Sequence, residues 1–321
     1  MALGANHVAL PEVTNASRTR SNSAFVRELW SDEIIAAYKA NLVMAPLVVQ
    51  MNHNGKKGDT IHIPNPQRGS ASQKSAETEV TLIATQESKK QYLIDQHWEY
   101  SRLIEDIVDV QADDSLRPFY TDDAGYALAT KTDDDLHNEG QFLNAMGFGG
   151  TATSEAANYA AGAAKGDGTN WDGMDTGNVI TDGGIRTLIQ GLDDNDTPMG
   201  GRVLVIPPVE KNNLMGVQRF TEEAYVGEAG SANTIRNGYV GNLYGVEVYV
   251  STNCVTDPNS VSGTRAALLF QKEALLHISQ MSPRTQTQYK QEWLGDLFTA
   301  DMIYGTGVLR PESGVAIIVP A

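Results

Sequence analysis

Residues 67–90 read QRGSASQKSAETEVTLIATQESKK. The stretch is almost wholly polar and alternates only weakly, at Val80 and Leu82. Strand patterns bracket it. Upstream, GKKGDTIHIPNP (55–66) reads as a turn and then a strand, with Ile61 and Ile63 on one face and Thr60 and His62 on the other. Downstream, QYLIDQHWEY (91–100) returns as a second strand pattern. The spacing predicts two strands joined by a long, mostly solvated excursion with too few apolar groups to bury itself. Ordering such a flap costs entropy that nothing within it offsets, so it needs cover from outside the domain.

Moving outward toward the N-terminus, residues 1 to about 22 are polar and small and carry Arg18 and Arg20. They read as a flexible arm. A helix is expected from Ser31, a good N-cap followed by Asp32 and Glu33 at the positive end of the dipole. Ile34, Ile35, Tyr38 and Leu42 recur at helical spacing, and Pro46 ends the run. Toward the C-terminus, Leu103, Ile104, Ile107 and Val108 suggest a helix over 100–110. A longer helix is expected after Asp113, Asp114 and Ser115, with Tyr120, Ala124, Ala127, Leu128, Leu136, Glu139 and Leu143 on one stripe. It should run to about Met146, roughly 30 residues or about 45 Å. Asp133, Asp134 and Asp135 interrupt it and read as a solvated face.

Residues 147–178 are low in complexity and read as a loop or linker. Beyond them the texture is α/β. TDGGIRTLIQGL is a helix capped by Thr181 or Asp182, RVLVIPP a buried strand, and PVEKNNLMG a short helix with a proline start and a glycine stop. The segment 221–245 is rich in loop residues, and VEVYVSTN alternates as a strand. Further strands are expected at RAALLF, ALLHIS, TQTQY, DLFTADMIYGTGVL and GVAIIVP.

Composition narrows the function. The 321 residues carry a net charge of −16, which opposes a chain built to grip nucleic acid phosphates or an anionic membrane. At 41% hydrophobic the chain suits a packed globular protein. The lone Cys254 excludes an intrachain disulfide and reads as a small buried residue at a strand end. The N-terminus lacks a signal-peptide pattern, and no apolar run spans a bilayer. A soluble protein kept in a reducing compartment is expected.

Enzyme chemistry finds little support. The acidic run TDDAGYALATKTDDDL (121–136) could supply paired carboxylates, yet adjacent Asp residues on one helix point in different directions. GDGTNWDGMD (166–175) resembles a calcium loop only loosely, because the EF-hand spacing fails. The six histidines form no metal-ligand pair at a known spacing. GFGG at 147 and GTG at 305 lack the strand–helix setting of a phosphate loop. No catalytic, cofactor or metal residue is assigned, and no cofactor is expected.

The order of parts resembles the tailed-phage major capsid proteins of the Hong Kong 97-type fold. The resemblance runs through ELWSDEIIAAYKANLVMAPLV (28–48), GKKGDTIHIP (55–64), IDQHWEYSRLIEDI (94–107), DAGYALATKTDDDL (123–136) and YGTGVLRPESGVAIIV (304–319). It implies an α+β subunit with an N-terminal arm (1–30) and an extended β-hairpin loop (58–98). It also implies a peripheral domain (31–57, 99–178 and 263–321) with a spine helix at about 115–146, and an α/β axial domain (179–262). It further implies a non-enzymatic shell subunit that self-assembles into hexamers and pentamers around double-stranded DNA, made in the bacterial host cytoplasm and resident in the virion. The arm leaves no room for a fused scaffolding segment, so a separate scaffolding protein is expected. A portal at one vertex and, optionally, a decoration or cement protein are further implied partners; no membrane is. Candidate intersubunit contacts are Arg18, Arg20, Arg68, Lys74, Glu77, Glu79, Lys89 and Lys90. Lys74, Lys89 and Lys90 on the flap are not expected to form covalent cross-links. Two other readings stay open: a tail-tube or decoration protein, and a soluble α/β enzyme or binding domain with a mobile lid.

Overall fold

The computed structural model describes residues 42–53, 57–66, 69, 71–77, 79–80, 82, 87–107, 116–148, 159, 163–217 and 241–321. Helix α1 (Met44–Leu47) and strand β1 (Val49–Asn52) lead to a hairpin of β2 (Thr60–Pro66) and β3 (Glu87–Leu93). Strand β4 (Gln96–Glu105) precedes the long helix α2 (Leu116–Glu139), which tightens into a 3-10 turn at Gly140–Phe142. Then follow β5 (Ala164–Lys165), α3 (Asp182–Asp194), β6 (Arg202–Ile206), α4 (Pro208–Met215), β7 (Asn242–Leu243) and β8 (Val246–Val250). The chain closes with β9 (Thr264–Gln271), β10 (Leu275–Lys290), β11 (Gly295–Val308) and β12 (Gly314–Pro320). One sheet has the order β1-β10-β11-β4, a second the order β5-β12-β9-β6-β8-β7, and β2 pairs only with β3.

The six-stranded sheet carries the core. Strands β6, β9 and β12 are continuous apolar runs because both of their faces are covered. Side chains alternate across the pleat. Val203, Val205, Leu268, Phe270, Ala316 and Ile318 pack on one side with Met44, Leu136, Leu143, Tyr159 and Trp171. Leu204, Ile206, Leu269, Ile317 and Val319 pack on the other with Ile185, Leu188 and Leu192 of α3. Helix α3 starts as expected: Thr181 is the N-cap and its hydroxyl accepts from Gly184 N at 3.0 Å. Helix α4 starts at Pro208 and stops at Gly216. Tyr159 and Trp171, from the stretch expected as a linker, are fully buried in the core.

Two helical expectations change. Residues 100–105 are strand, because β4 pairs with β11 from Gln96↔Tyr304 to Glu105↔Gly295. The apolar spacing at 103, 104 and 107 fits a helix, but a ten-residue ladder outweighs local period. The long helix ends at Glu139, giving 24 residues or about 36 Å. Gly140 follows because β9 crosses there: a Cβ on it would sit 2.3 Å from Leu268 Cδ2. The expected helix from Ser31 and the arm with Arg18 and Arg20 lie outside the described residues, and Pro46 sits inside the short α1. ALLHIS and TQTQY belong to one strand, β10. Strand β3 begins at Glu87, inside the polar tract.

The largest correction concerns the three aspartates of α2. Asp133 is buried, while Asp134 and Asp135 are half-buried. Asp133 Oδ1 accepts from Val43 N at 3.1 Å and Met44 N at 2.9 Å, and Oδ2 accepts from Asn253 Nδ2 at 3.1 Å. Asp135 accepts from Tyr304 Oη at 2.6 Å and pairs with Lys131 at 2.7 Å. The carboxylates of Asp133 and Asp135 serve the interior, where each oxygen finds a donor. One turn on, His137 is buried with neither ring nitrogen hydrogen-bonded; its Nε2 lies 3.6 Å from Asp133 Oδ2. Burial pushes its pKa down to about 4, opposed by the nearby Asp133.

The flap root lies across the C-terminal end of β11. Tyr92 Oη donates to Val308 O at 3.0 Å and Lys90 Nζ to Leu309 O at 2.6 Å. Ile94 N bonds Asp59 O at 2.8 Å, and Gln280 Nε2 reaches Gly58 O at 2.7 Å. Tyr92 and Ile94 pack with Leu276 and Ile278, joined by Ile61 and Ile63. The YGTG sequence explains the close approach. A Cβ on Gly305 would stand 2.5 Å from Leu93 O, and one on Gly307 2.5 Å from the Tyr92 ring.

Two outcomes follow. Gly307→Ala should displace the Tyr92 ring, cost about 1–3 kcal/mol in chemical denaturation and speed amide exchange in β2 and β3; unchanged exchange there would contradict the packing. For His137, the folded pKa lies below the unfolded value of about 6.5. Stability is therefore full above pH 6.5, falls as pH drops toward 4, and levels off below. His137→Phe should flatten that segment of the stability–pH curve while leaving the fold intact at pH 7.

Candidate self-assembly interface

A two-stranded hairpin is marginal by itself, and the contacts of Tyr92, Lys90 and Ile94 hold its base. Beyond them the described residues of the excursion lie open: Lys74, Glu77 and Glu79 are exposed, Val80 is 67% exposed and Leu82 91%. Lys89 is exposed, opposite Pro64 in the register, and Lys90 is half-buried on its carbonyl partner Leu309. Arg68 lies outside the described residues, like Arg18 and Arg20. The structure thus places Lys74, Glu77, Glu79 and Lys89 on one projecting element, and turns Lys90 inward to anchor it. A cleft of about 620 Å³ separates the flap root from the body, lined by Ile63, Asn65, Lys90, Asp196, Arg310 and Glu312.

Sheet edges form the second feature. The six-stranded sheet ends in β5 and β7, each two residues long, and the other sheet ends on one side in β1, four residues long. These are blunted edges. Strand β4 is ten residues long, and among the described residues no strand pairs with its outer side. Trp98 on this strand is partly exposed, with Lys131 Nζ 4.6 Å from its ring centroid.

The third feature was not legible as a site. The β10–β11 turn presents Trp293 and Leu294, each 64% exposed. Leu294 has φ +44°. The turn is held rigidly: Asp106 N donates to Leu294 O at 3.0 Å, and Tyr289 Oη donates to Asp106 Oδ2 at 2.8 Å. Leu103, opposite Leu297 in the β4–β11 register, and Ile107, just past the end of β4, add exposed apolar surface. The available signal was an apolar pair, WLG, between two polar strand ends. Along the same hairpin Arg284 forms a two-pronged pair with Asp301 at 2.8 and 3.0 Å. Arg284 holds that carboxyl below the usual range, with His97 adding to the effect.

Among the described residues, the candidate chemical groups singled out in the sequence stand apart or are satisfied internally. Cys254 is buried in the loop after β8, its thiol pushed up to about 12 by burial, so it is no nucleophile at neutral pH. The acidic loop at 167–175 is satisfied internally. Thr169 N bonds Asp167 Oδ1 at 2.9 Å, Met174 N bonds Asp172 Oδ1 at 3.0 Å, and Lys165 pairs with Asp175. Among the described residues no group of three or more His, Cys, Asp or Glu could hold a metal ion. Nor does any described helix have the length and apolarity to cross a membrane.

Similarity to known proteins accords with surfaces built for contact. The family model described as phage capsid protein matches residues 107–317. No curated protein matches the chain. Among solved structures, one of Mycobacterium phage Che8 is 26% identical with a TM-score of 0.70, covering 91% of this chain and 97% of its own. The capsid of cyanophage P-SCSP1u is 16% identical with a TM-score of 0.69, covering 93% and 94%. The capsid of cyanophage Pam1 is 13% identical at the same TM-score, covering 93% and 97%. With an α+β fold shared with phage capsid subunits, the chain belongs to the phage capsid protein family, as a tailed-phage major capsid protein of the Hong Kong 97 type that self-assembles into a shell.

Proposed function

We propose that this chain closes its shell chiefly through the flap, which docks on a neighbouring copy. The observation that carries this reading is the exposure of Val80 and Leu82 on an element whose base is tied to the body through Tyr92 and Lys90. Burying the two side chains against a neighbour is worth about 2 kcal/mol each, a gain repeated at every copy in the shell. Lys74, Glu77, Glu79 and Lys89 act as rim charges that set register, with Arg68, Arg18 and Arg20 as further contacts. Lys90 acts inside the subunit as the hinge anchor. The free side of β4 offers a backbone template for strand addition.

In this reading residues 58–98 are the extended loop, 1–30 the arm, and 31–57, 99–178 and 263–321 the peripheral part with α2 as its spine. Residues 179–262 are the axial part that meets its copies at each capsomer centre. The sheet that β6 and β8 share with β9 and β12 crosses the axial boundary, so the axial segment is an excursion from one body. A separate scaffolding protein directs closure, a portal occupies one vertex, and a cement protein is optional. The net charge of −16 suits a wall that encloses double-stranded DNA without gripping it. Its role is structural, and its place is the virion shell.

The test is a paired substitution, Val80→Asp with Leu82→Asp, expressed with the scaffolding partner. Circular dichroism and thermal melting of the free subunit should be unchanged, while electron microscopy shows capsomers or monomers in place of closed shells. Normal shell yield from the variant would overturn the flap reading. Trypsin should cut at Lys74 and Lys89 in free subunits and spare both sites in shells; equal cutting in both states would count against it too.

A further inference from the structure

The tip of the β10–β11 hairpin holds an apolar pair out in water on a fixed turn. Trp293 and Leu294 are each 64% exposed. Beneath them Trp293 N donates to Lys290 O at 3.1 Å, Asp106 N to Leu294 O at 3.0 Å, and Tyr289 Oη to Asp106 Oδ2 at 2.8 Å. Gly295 is pressed against β4: a Cβ on it would stand 2.5 Å from Ile104 O. A side chain carried on a turn already in order gives up little backbone freedom when it docks. Tryptophan is also the residue type that most often anchors an interface by entering a pocket.

A pocket of matching chemistry lies at the other end of the same hairpin. The cleft of about 620 Å³ beside the flap root has Ile63, Pro64 and Leu309 for apolar lining and Arg310, Asn65 and Asp196 for polar lining. Its size is within the roughly 300–1,000 Å³ of sites that enclose compact groups. Its walls are set in place by Lys90 Nζ on Leu309 O at 2.6 Å, Tyr92 Oη on Val308 O at 3.0 Å and Asn195 Nδ2 on Gly191 O at 2.9 Å. Arg310 pairs with Glu273 across 3.6 Å and keeps about half of its side chain exposed. A proline ring, two aliphatic side chains and a guanidinium are the groups that hold an indole. Glu292, exposed beside Trp293, brings the tip a carboxylate to set against Arg310. The tip and the cleft cannot meet within one subunit. Strand β11 leads from Gly295 at the tip to Val308 beside the cleft, about 45 Å of extended chain. The chain self-assembles, so every tip has the clefts of other copies within reach. We propose that Trp293 and Leu294 of one copy enter the flap-root cleft of a second copy. Contact between unlike ends of identical subunits is heterologous, and contacts of that kind close into rings. The docking of Val80 and Leu82 uses a different surface, so either contact can fail while the other stands.

The contact is tested by placing Leu294→Cys and Asn65→Cys in one full-length chain. Both positions are exposed, and the native Cys254 is buried away from the chemistry. Shells are assembled with the scaffolding partner under reducing conditions and then oxidised. Non-reducing denaturing gels should show a ladder of dimers, trimers and higher species. Either single-cysteine chain, and free subunits of the double variant, should show none. Dimers from Leu294→Cys alone would set tip against tip and overturn the proposal, as would the absence of a ladder from the double variant. Trp293→Ala should leave the thermal melt of the free subunit unchanged and lower the yield of closed shells about tenfold. An unchanged yield, or a melt lowered in the free subunit, would overturn it. Should the cysteine pair prevent assembly, a charge exchange takes its place. Glu292→Arg and Arg310→Glu should each lower shell yield, and the two together should restore it; no recovery in the double variant would overturn the contact equally.

Discussion

Strand β11 is hydrogen-bonded on both sides, to β10 from Leu275↔Val308 through Lys290↔Gly295 and to β4 from Gln96 to Glu105. That double pairing is the constraint on which the remaining features hang. One face of β11 offers Phe298, Ala300, Met302 and Tyr304 to Ala124 and Leu128 of α2, fixing where the helix lies. Its C-terminal end offers Gly305 and Gly307, whose missing Cβ atoms let the flap root approach. Its N-terminal end holds the turn with Trp293 and Leu294 against β4. A shift of one residue in either register would flip every one of these contacts to the opposite face.

From that frame the subunit shows a division between what it completes and what it leaves open. The six-stranded sheet is covered on both faces and ends in two-residue strands, so it closes on itself. The four-stranded sheet ends in the ten-residue β4, and the flap projects beyond its anchors with apolar side chains in water. Exposed edges and apolar patches are hazards for a monomer. In a chain that forms a shell from identical copies such surfaces are available for association, which is the role proposed for them above.

The interior polar groups add precision to this scheme. Asp133, Asp135 and Tyr304 connect α2 to α1, to the β8 loop and to β11 through short, satisfied hydrogen bonds. Apolar packing alone would permit small slides of a long helix over a sheet. Fixed donors and acceptors select one placement. His137 sits among them without a hydrogen-bond partner, 3.6 Å from Asp133 Oδ2.

Much of this was legible in the residues themselves. The apolar runs of β6, β9 and β12, the Thr181 cap, the Pro208 and Gly216 limits of α4 and the polar excursion after β2 all follow from local chemistry: pleat alternation, capping and turn propensity act over a few residues. The capsid resemblance followed from their order. Only the tertiary structure decided the rest. Residues 100–105 became strand because a partner two hundred residues away supplied the ladder. Helix α2 stopped at Glu139 because β9 passes Gly140. Asp133 turned inward because two amides at 43–44 lacked a local cap, and Tyr159 and Trp171 filled the core from a tract of small residues. Each of these outcomes depends on groups far apart in the chain, where local propensity of a few tenths of a kcal/mol per residue yields to pairing and burial.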